Sequence, residues 1–191
     1  MKRGRRPGRS FGVPGTHPWN SWHAKSPGEL PVHNPIAVPS ETESFSRYRS
    51  RMPVIAVTRL RVRSWRYLPM FVVQSIRAAR QAAASQGNRS TKLLRDQGKA
   101  FWTATSWSDE AAMKQFMHAP PHGPVMKKLL EWCDEAALVH WTQTEADIPS
   151  WVEAHARLQR DGRRSKVNHP SAAHDAFQIP APAGRQEMRL K

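Results

Sequence analysis

The run HAPPHGPVM, residues 118–126, sets two histidines on either side of a proline pair. An imidazole titrates close to neutral pH, so His122 is a candidate general base or hydrogen-bond donor. A helix carrying both rings on one face would suit a metal, but Pro120 and Pro121 lack N–H groups and force the residues before them out of helical dihedrals. The paired-ligand reading therefore fails, and the stretch is expected to break one helix and restart it near Gly123, with Pro124 in the first turn. Such a restart would free backbone N–H groups near Val125 and Met126 for an anionic or carbonyl oxygen, with His122 beside them. The plainer alternative is that His122 caps the second half-helix or faces water. His118 belongs with the carbonyl end of the first half-helix, where a cation is favoured.

Other residues could join such a site. His140 alternates with Leu138 and Thr142 on a strand, as either a satisfied buried histidine or a second pocket residue. Trp102, Trp107, Trp132 and Trp141 could line a site for a flat aromatic ligand, although large residues at alternating or helical spacing also build cores. Arg59, Arg61, Arg63 and Arg95 could hold a carboxylate, or form a solvated strand end. Cys133 is the only cysteine, so neither an intrachain disulfide nor a multi-cysteine metal site is possible, and no metal site is expected. There is no Gly-rich phosphate loop, no G-x-S-x-G and no H-E-x-x-H.

The formal charge of +15 is spread unevenly: +6 falls on residues 1–51, +5 on 156–191, and only +4 on the 104 residues between. The excess sits on Pro-, Gly- and Ser-rich segments without a binding motif, which argues against nucleic acid as the main partner and leaves weak association through basic tails as a third reading. No run reaches the length of a membrane span and the N-terminus lacks an apolar signal core, so a cytoplasmic location is expected.

Elements follow from periodicity. Residues 1–51 show none and are broken by prolines, so they are expected to be a disordered basic arm, one that could lie upstream of a true start at Met52. A strand is expected in MPVIAVTRLRV and a helix from Pro69, with Leu68, Val72, Ile76 and Ala79 on its apolar stripe. A hairpin follows, with strands at 91–96 and 100–107, and its second strand points Phe101 and Trp107 one way and Trp102 and Ala104 the other. The broken helix begins after Ser108 as N-cap, a strand is expected at 136–144, and Ser150 with Glu153 caps a helix ended by Gly162. Residues 163–191 are expected to be a flexible basic tail. The order strand, helix, strand, strand, helix, strand predicts an α+β, ferredoxin-like βαββαβ domain over 52–162, with two helices on one face of the sheet. Its other face would need cover, and a second copy of the same sheet is the simplest cover.

The run from Phe101 to Trp141, followed by IPSWVEAHARLQ, resembles the dimeric α+β barrel superfamily that includes antibiotic-biosynthesis monooxygenases, and within it a bacterial family of unknown function. The matching residues are Trp107, the acidic helix start at Asp109 and Glu110, Phe116, His122, His140, Trp141, Pro149, Glu153, Ala154, Arg157 and Leu158; spheroidene monooxygenase is a more distant likeness. The resemblance implies a homodimer, a pocket between sheet and helices, and either no cofactor or haem. It implies an oxygenase-like enzyme or binder for an aromatic or polyene small molecule, with His122 and His140 as catalytic candidates and Trp102, Trp107, Phe116, Trp141 and Arg95 against the substrate. The alternative is a non-catalytic barrel that binds a ligand or scaffolds.

Overall fold

The structure is a computed structural model and describes residues 52–184 and 186–191. The expected arm at 1–51 lies outside the described residues. Strand β1 (Val54–Val62) leads through a short turn at Trp65–Tyr67 into helix α1 (Leu68–Ala84). The hairpin β2 (Asn88–Arg95) and β3 (Ala100–Trp107) follows, then the broken pair α2 (Glu110–His118) and α3 (His122–Trp132), and then β4 (Cys133–Thr142). Beyond these come α4 (Trp151–Asp161), β5 (Arg163–Arg164), a turn of helix α5 (Ala172–Asp175) and β6 (Gln186–Arg189).

The sheet runs β5-β4-β1-β3-β2-β6. Every recorded pairing is antiparallel. Its central four strands have the expected ferredoxin-like order, because the two strands joined to crossover helices, β1 and β3, must lie side by side in the middle. Alternation divides the core into two sides. Val54, Val62, Trp107, Cys133 and Ala136 meet Phe71, Ala82 and Met113 of α1 and α2 on the helix side. Ile55, Val57, Trp102, Ala104, Ala137 and Val139 point the other way.

Two expectations change here. Residues 163–191 were read as a flexible tail, but they add a strand to each sheet edge. They are tied by long-range backbone bonds, Ser165 N–H to Ala136 O at 2.8 Å, Asn168 N–H to Leu130 O at 2.8 Å and Leu190 N–H to Thr91 O at 2.9 Å. The second concerns the sheet face reserved for a second copy. Ala154 and Leu158 of α4, both fully buried, cover it together with Ile179, Ile148, Trp151 and Phe177. The apolar area that called for a partner is thus removed from water within the chain.

Smaller shifts have local causes. Asp109, not Ser108, caps α2, because its carboxylate accepts from Ala112 N–H at 2.9 Å while the Ser108 hydroxyl donates to the same carboxylate. Strand β4 begins at Cys133, three residues earlier than expected. Ser150 caps α4 as expected, accepting from Glu153 N–H at 3.2 Å.

Candidate functional site

The helix break forms as the prolines require, and it is closed by hydrogen bonds. Ala119 N–H ends α2 on the carbonyls of Gln115 and Phe116, both at 3.2 Å. At the restart, Gly123 N–H reaches Ala119 O at 3.1 Å and Val125 N–H reaches Pro121 O at 3.4 Å. The remaining donor, His122 N–H, is taken at 3.0 Å by Gln81 Oε1 from α1. The amide of Gln81 also donates to Ala119 O at 3.3 Å, so one side chain bridges the two half-helices. The free N–H groups expected near Val125 and Met126 are therefore not available: Met126, fifth in the helix, has the His122 carbonyl within ordinary α-helical reach. The tightness of the restart also explains Gly123, where an added Cβ would lie 2.9 Å from His118 O.

The His122 ring has a defined state. Nδ1 lies 3.1 Å from the carbonyl oxygen of Met117, which can only accept, so Nδ1 carries the hydrogen and the lone pair of the neutral ring is on Nε2. Burial pushes the ring below its usual value of 6.5, and the bond to Met117 counters this only in part. Phe116 packs against the ring at 4.4 Å between centroids and stacks on Trp107 at 5.0 Å. Trp107, fully buried, donates from its indole to Thr105 Oγ1 at 2.9 Å. His118 meets the end of its own helix as expected, donating from Nδ1 to Lys114 O at 2.7 Å.

The other candidates separate. His140 is on the helix side, opposite Ala56 and near the Trp107 end of the sheet, and it is exposed. Trp102 is on the far side, where it contacts Trp151 and His155, with its indole donating to Asp96 at 2.9 Å. Trp141 is on that side too, under the Arg157 guanidinium at 5.0 Å. Arg95 is exposed at the end of β2, paired with Gln186 of β6. The tryptophans thus do not converge on one pocket, because strand alternation sends Trp102 and Trp107 to opposite faces.

The far side holds a polar group whose members the sequence reading missed, apart from its arginines. Arg59 and Glu135, at 5% and 4% exposure, form an ion pair with Nη1 to Oε2 at 2.5 Å. Ser171 and the buried His174 come from the segment read as a tail, and Ser171 Oγ donates to Glu135 at 3.2 Å. Arg61 sits partly exposed with Asp134 and Glu135; burial works against its charge, but the bond to Asp134 and the two carboxylates outweigh it and raise it further. No group of three or more His, Cys, Asp or Glu that could hold a metal occurs among the described residues.

Comparison with known proteins gives a family and a set of similar folds. SnoaB, a cofactor-independent oxygenase from Streptomyces nogalater, is 20% identical over 49% of this chain and 95% of its own, with a TM-score of 0.42. A conserved protein from Methanosarcina mazei Go1 is 13% identical over 51% of this chain and 98% of its own, at 0.44. A structure described as antibiotic biosynthesis monooxygenase is 9% identical over 48% and 99%, also at 0.44. No curated protein matches the chain. No helix among the described residues is long and apolar enough to cross a membrane. The family model described as "Domain of unknown function (DUF3291)" matches residues 67–184, from the start of the first crossover to the threshold of the last strand, and the chain belongs to that family.

Proposed function

We propose that the chain is an oxygenase-like small-molecule enzyme whose site lies at the α2–α3 break, with His122 Nε2 as the general base and Phe116 as the surface against which a flat, weakly acidic aromatic ring stacks. The observation that carries this reading is the state of His122: its hydrogen is held on Nδ1 by Met117, and burial keeps the ring neutral. A neutral imidazole with its lone pair on Nε2 can take a proton from a phenol or enol. The resulting anion passes one electron to molecular oxygen, the two radicals combine to form a C–O bond, and the peroxide takes back the proton from His122 and loses water to leave a ketone, so one oxygen atom enters the product, the other leaves as water, and O2 alone supplies the oxidising equivalents. Phe116, half-buried beside His122, offers its ring to such a substrate with Trp107 packed behind it, whereas Trp102 and Trp141 are on the other side of the sheet and Arg95 is at the end of β2. His140, on the same side of the sheet and exposed, remains within the proposal as a group that could meet the solvent edge of the ligand.

The test is oxygen uptake by the purified chain with a panel of planar phenols, 1-naphthol among them, compared with His122→Gln. Loss of the base is expected to lower the rate about 10²–10⁴-fold with the melting temperature nearly unchanged. Equal rates in the two proteins would sink the proposal and leave the break as a bend that lets one helix follow the sheet. Absorption spectra before and after adding haemin serve as a control: a Soret band bound to the chain would contradict the cofactor-free reading.

A further inference from the structure

The outer face of α1 is not used by the proposed reaction. Among the described residues seven large apolar side chains are exposed, and five of them, Trp65, Met70, Val73, Met117 and Met126, belong to α1, α2, α3 and the turn before α1. Single exposed apolar groups are ordinary, so their spacing matters more than their number. On α1 the exposed positions Met70, Val73, Arg77, Arg80 and Ala84 recur every three or four residues, a stripe opposite the buried Phe71, Ala79 and Ala82 that face the sheet. The stripe therefore points away from the sheet, with thioether and methyl groups at one end and guanidinium groups further along. The helix contains no Asp or Glu.

Where α1 begins, aromatic and basic side chains interleave. Trp65, 69% exposed, has Lys99 Nζ over its ring at 5.7 Å. Tyr67 has the guanidinium groups of Arg63 and Arg66 over its ring at 4.9 and 4.5 Å. Trp132, stacked on Tyr67 at 6.5 Å, carries Lys128 at 5.9 Å. The carboxylate at this end, Glu131, is engaged by Arg63 and lies 3.3 Å from His169 Nε2. Charge then decides among occupants. A second copy would add basic groups to a face already basic, and residues 1–51 carry a net +6, so neither is its complement. The outer ridge of one helix offers a peptide no groove. Single-stranded nucleic acid needs free rings on which bases stack, but Tyr67 and Trp132 are stacked on each other, and Met70 and Val73 match nothing on a phosphate backbone. An anionic lipid surface offers phosphates to the arginines and acyl chains to the apolar side chains.

We propose that this face rests on an anionic lipid bilayer, with Trp65, Met70 and Val73 entering the headgroup boundary and Arg66, Arg77 and Arg80 meeting lipid phosphates. The chain lies on the bilayer and does not cross it. The contact does not involve His122, so the two proposals fail independently.

The experiment is co-sedimentation of the full chain with vesicles of phosphatidylcholine alone and with about a third phosphatidylglycerol. Binding to the anionic vesicles is expected to be at least about tenfold tighter and to weaken as salt is raised. The pair Arg77→Gln with Arg80→Gln, and the pair Met70→Ser with Val73→Ser, are each expected to weaken it about tenfold, one through charge and the other through apolar contact. Val152→Ser, at a position 76% exposed on the helix that covers the other face of the sheet, is expected to change nothing. Vesicles of lipid brominated in the acyl chains are expected to quench the tryptophan fluorescence of the unaltered chain, and Trp65→Phe to remove most of that quenching. Should one pair of substitutions lower the melting temperature, the other pair and the quenching still decide. Equal binding to both vesicles, or none to either, overturns the proposal. So does quenching that persists in Trp65→Phe, or binding that both pairs leave as tight, since the contact then belongs to other residues. A single-stranded oligonucleotide that binds more tightly than the vesicles, and through these same residues, overturns it in favour of nucleic acid.

Discussion

His122 illustrates how far single residues could be read from the sequence. The prolines declare the break, and the break places the ring, because no helix runs through Pro120 and Pro121. What stayed hidden is the closure: Gln81, which caps the restart, is 41 positions away and lies on another helix. The same limit applies to Arg59, whose row of arginines was visible but whose burial depends on Glu135 and on a turn near the C-terminus. The state of His122 has a consequence for stability. Its folded pKa lies below the ordinary 6.5, so in the window beneath that value the unfolded chain binds the proton more readily. The stability linked to the neutral ring is therefore fully present above pH 6.5 and is lost as pH falls through the folded value. Thermal melts between pH 7 and 5 are expected to show a steeper fall for the unaltered chain than for His122→Gln, which has nothing to titrate there. Parallel falls would mean that the ring is solvated in both states. Cys133 is fully buried at the start of β4, with its thiol pushed up to about 12 by burial and by the nearby Asp134, so it is inert packing.

Among the elements, those with apolar periodicity were legible and those without it were not. The four central strands and α1–α4 carry apolar residues at a period of two or near 3.6, and their bounds agree with expectation within a few residues. The β5, α5 and β6 elements are short, and the side chains of both edge strands are exposed. Such edge segments carry no alternation to detect, since their order comes from backbone pairing with β4 and β2 and not from their own burial. Helix α4 shows how much one well-read element can carry. Its Ser150 cap and Gly162 stop were both visible, and Gly162 is required because a Cβ there would lie 2.1 Å from Leu158 O. The helix buries Leu158 completely and leaves Val152 76% exposed. Leu158→Ala is expected to cost about 2–5 kcal/mol in denaturant unfolding, by lost transfer energy and the cavity left behind. Val152→Ala, the control on the same helix, is expected to stay within about 0.5 kcal/mol. Equal costs for the two would show that α4 does not pack on the sheet as described.

For the molecule as a whole, the decisive question is what covers the second face of the sheet. Counting two crossover helices against one sheet leaves an apolar face, and a second copy is the economical cover when only residues up to 162 are counted as folded. The sequence reading preferred a second copy to the helix at 151–161 as the cover, and it gave residues 163–191 no place in the fold. In the structure, α4 and the segment around Ile179 lie on that face, with Trp102, Ile55, Val57, Ala154 and Leu158 each fully buried beneath or within this layer. Two sheets could pack face to face only if that layer left both of them, exposing Leu158, Ile179 and Trp151 in the process. Each buried aliphatic or aromatic side chain exposed in this way costs about 1.5–3 kcal/mol, a sum that a new interface would have to exceed before any pairing was gained. Light scattering at micromolar concentration is therefore expected to give the mass of a single chain, 21.7 kDa. A chain shortened to end at Ser150 is expected to behave differently, binding a hydrophobic dye and associating, because Ile55, Val57 and Trp102 would then meet water. A full-length mass of two chains would contradict this, provided that Leu158→Asp, which places a charge in the covered layer, splits the pair and shows the interface to be this face. A mass of two chains that survives that substitution would place the contact elsewhere and leave the cover of the sheet intact.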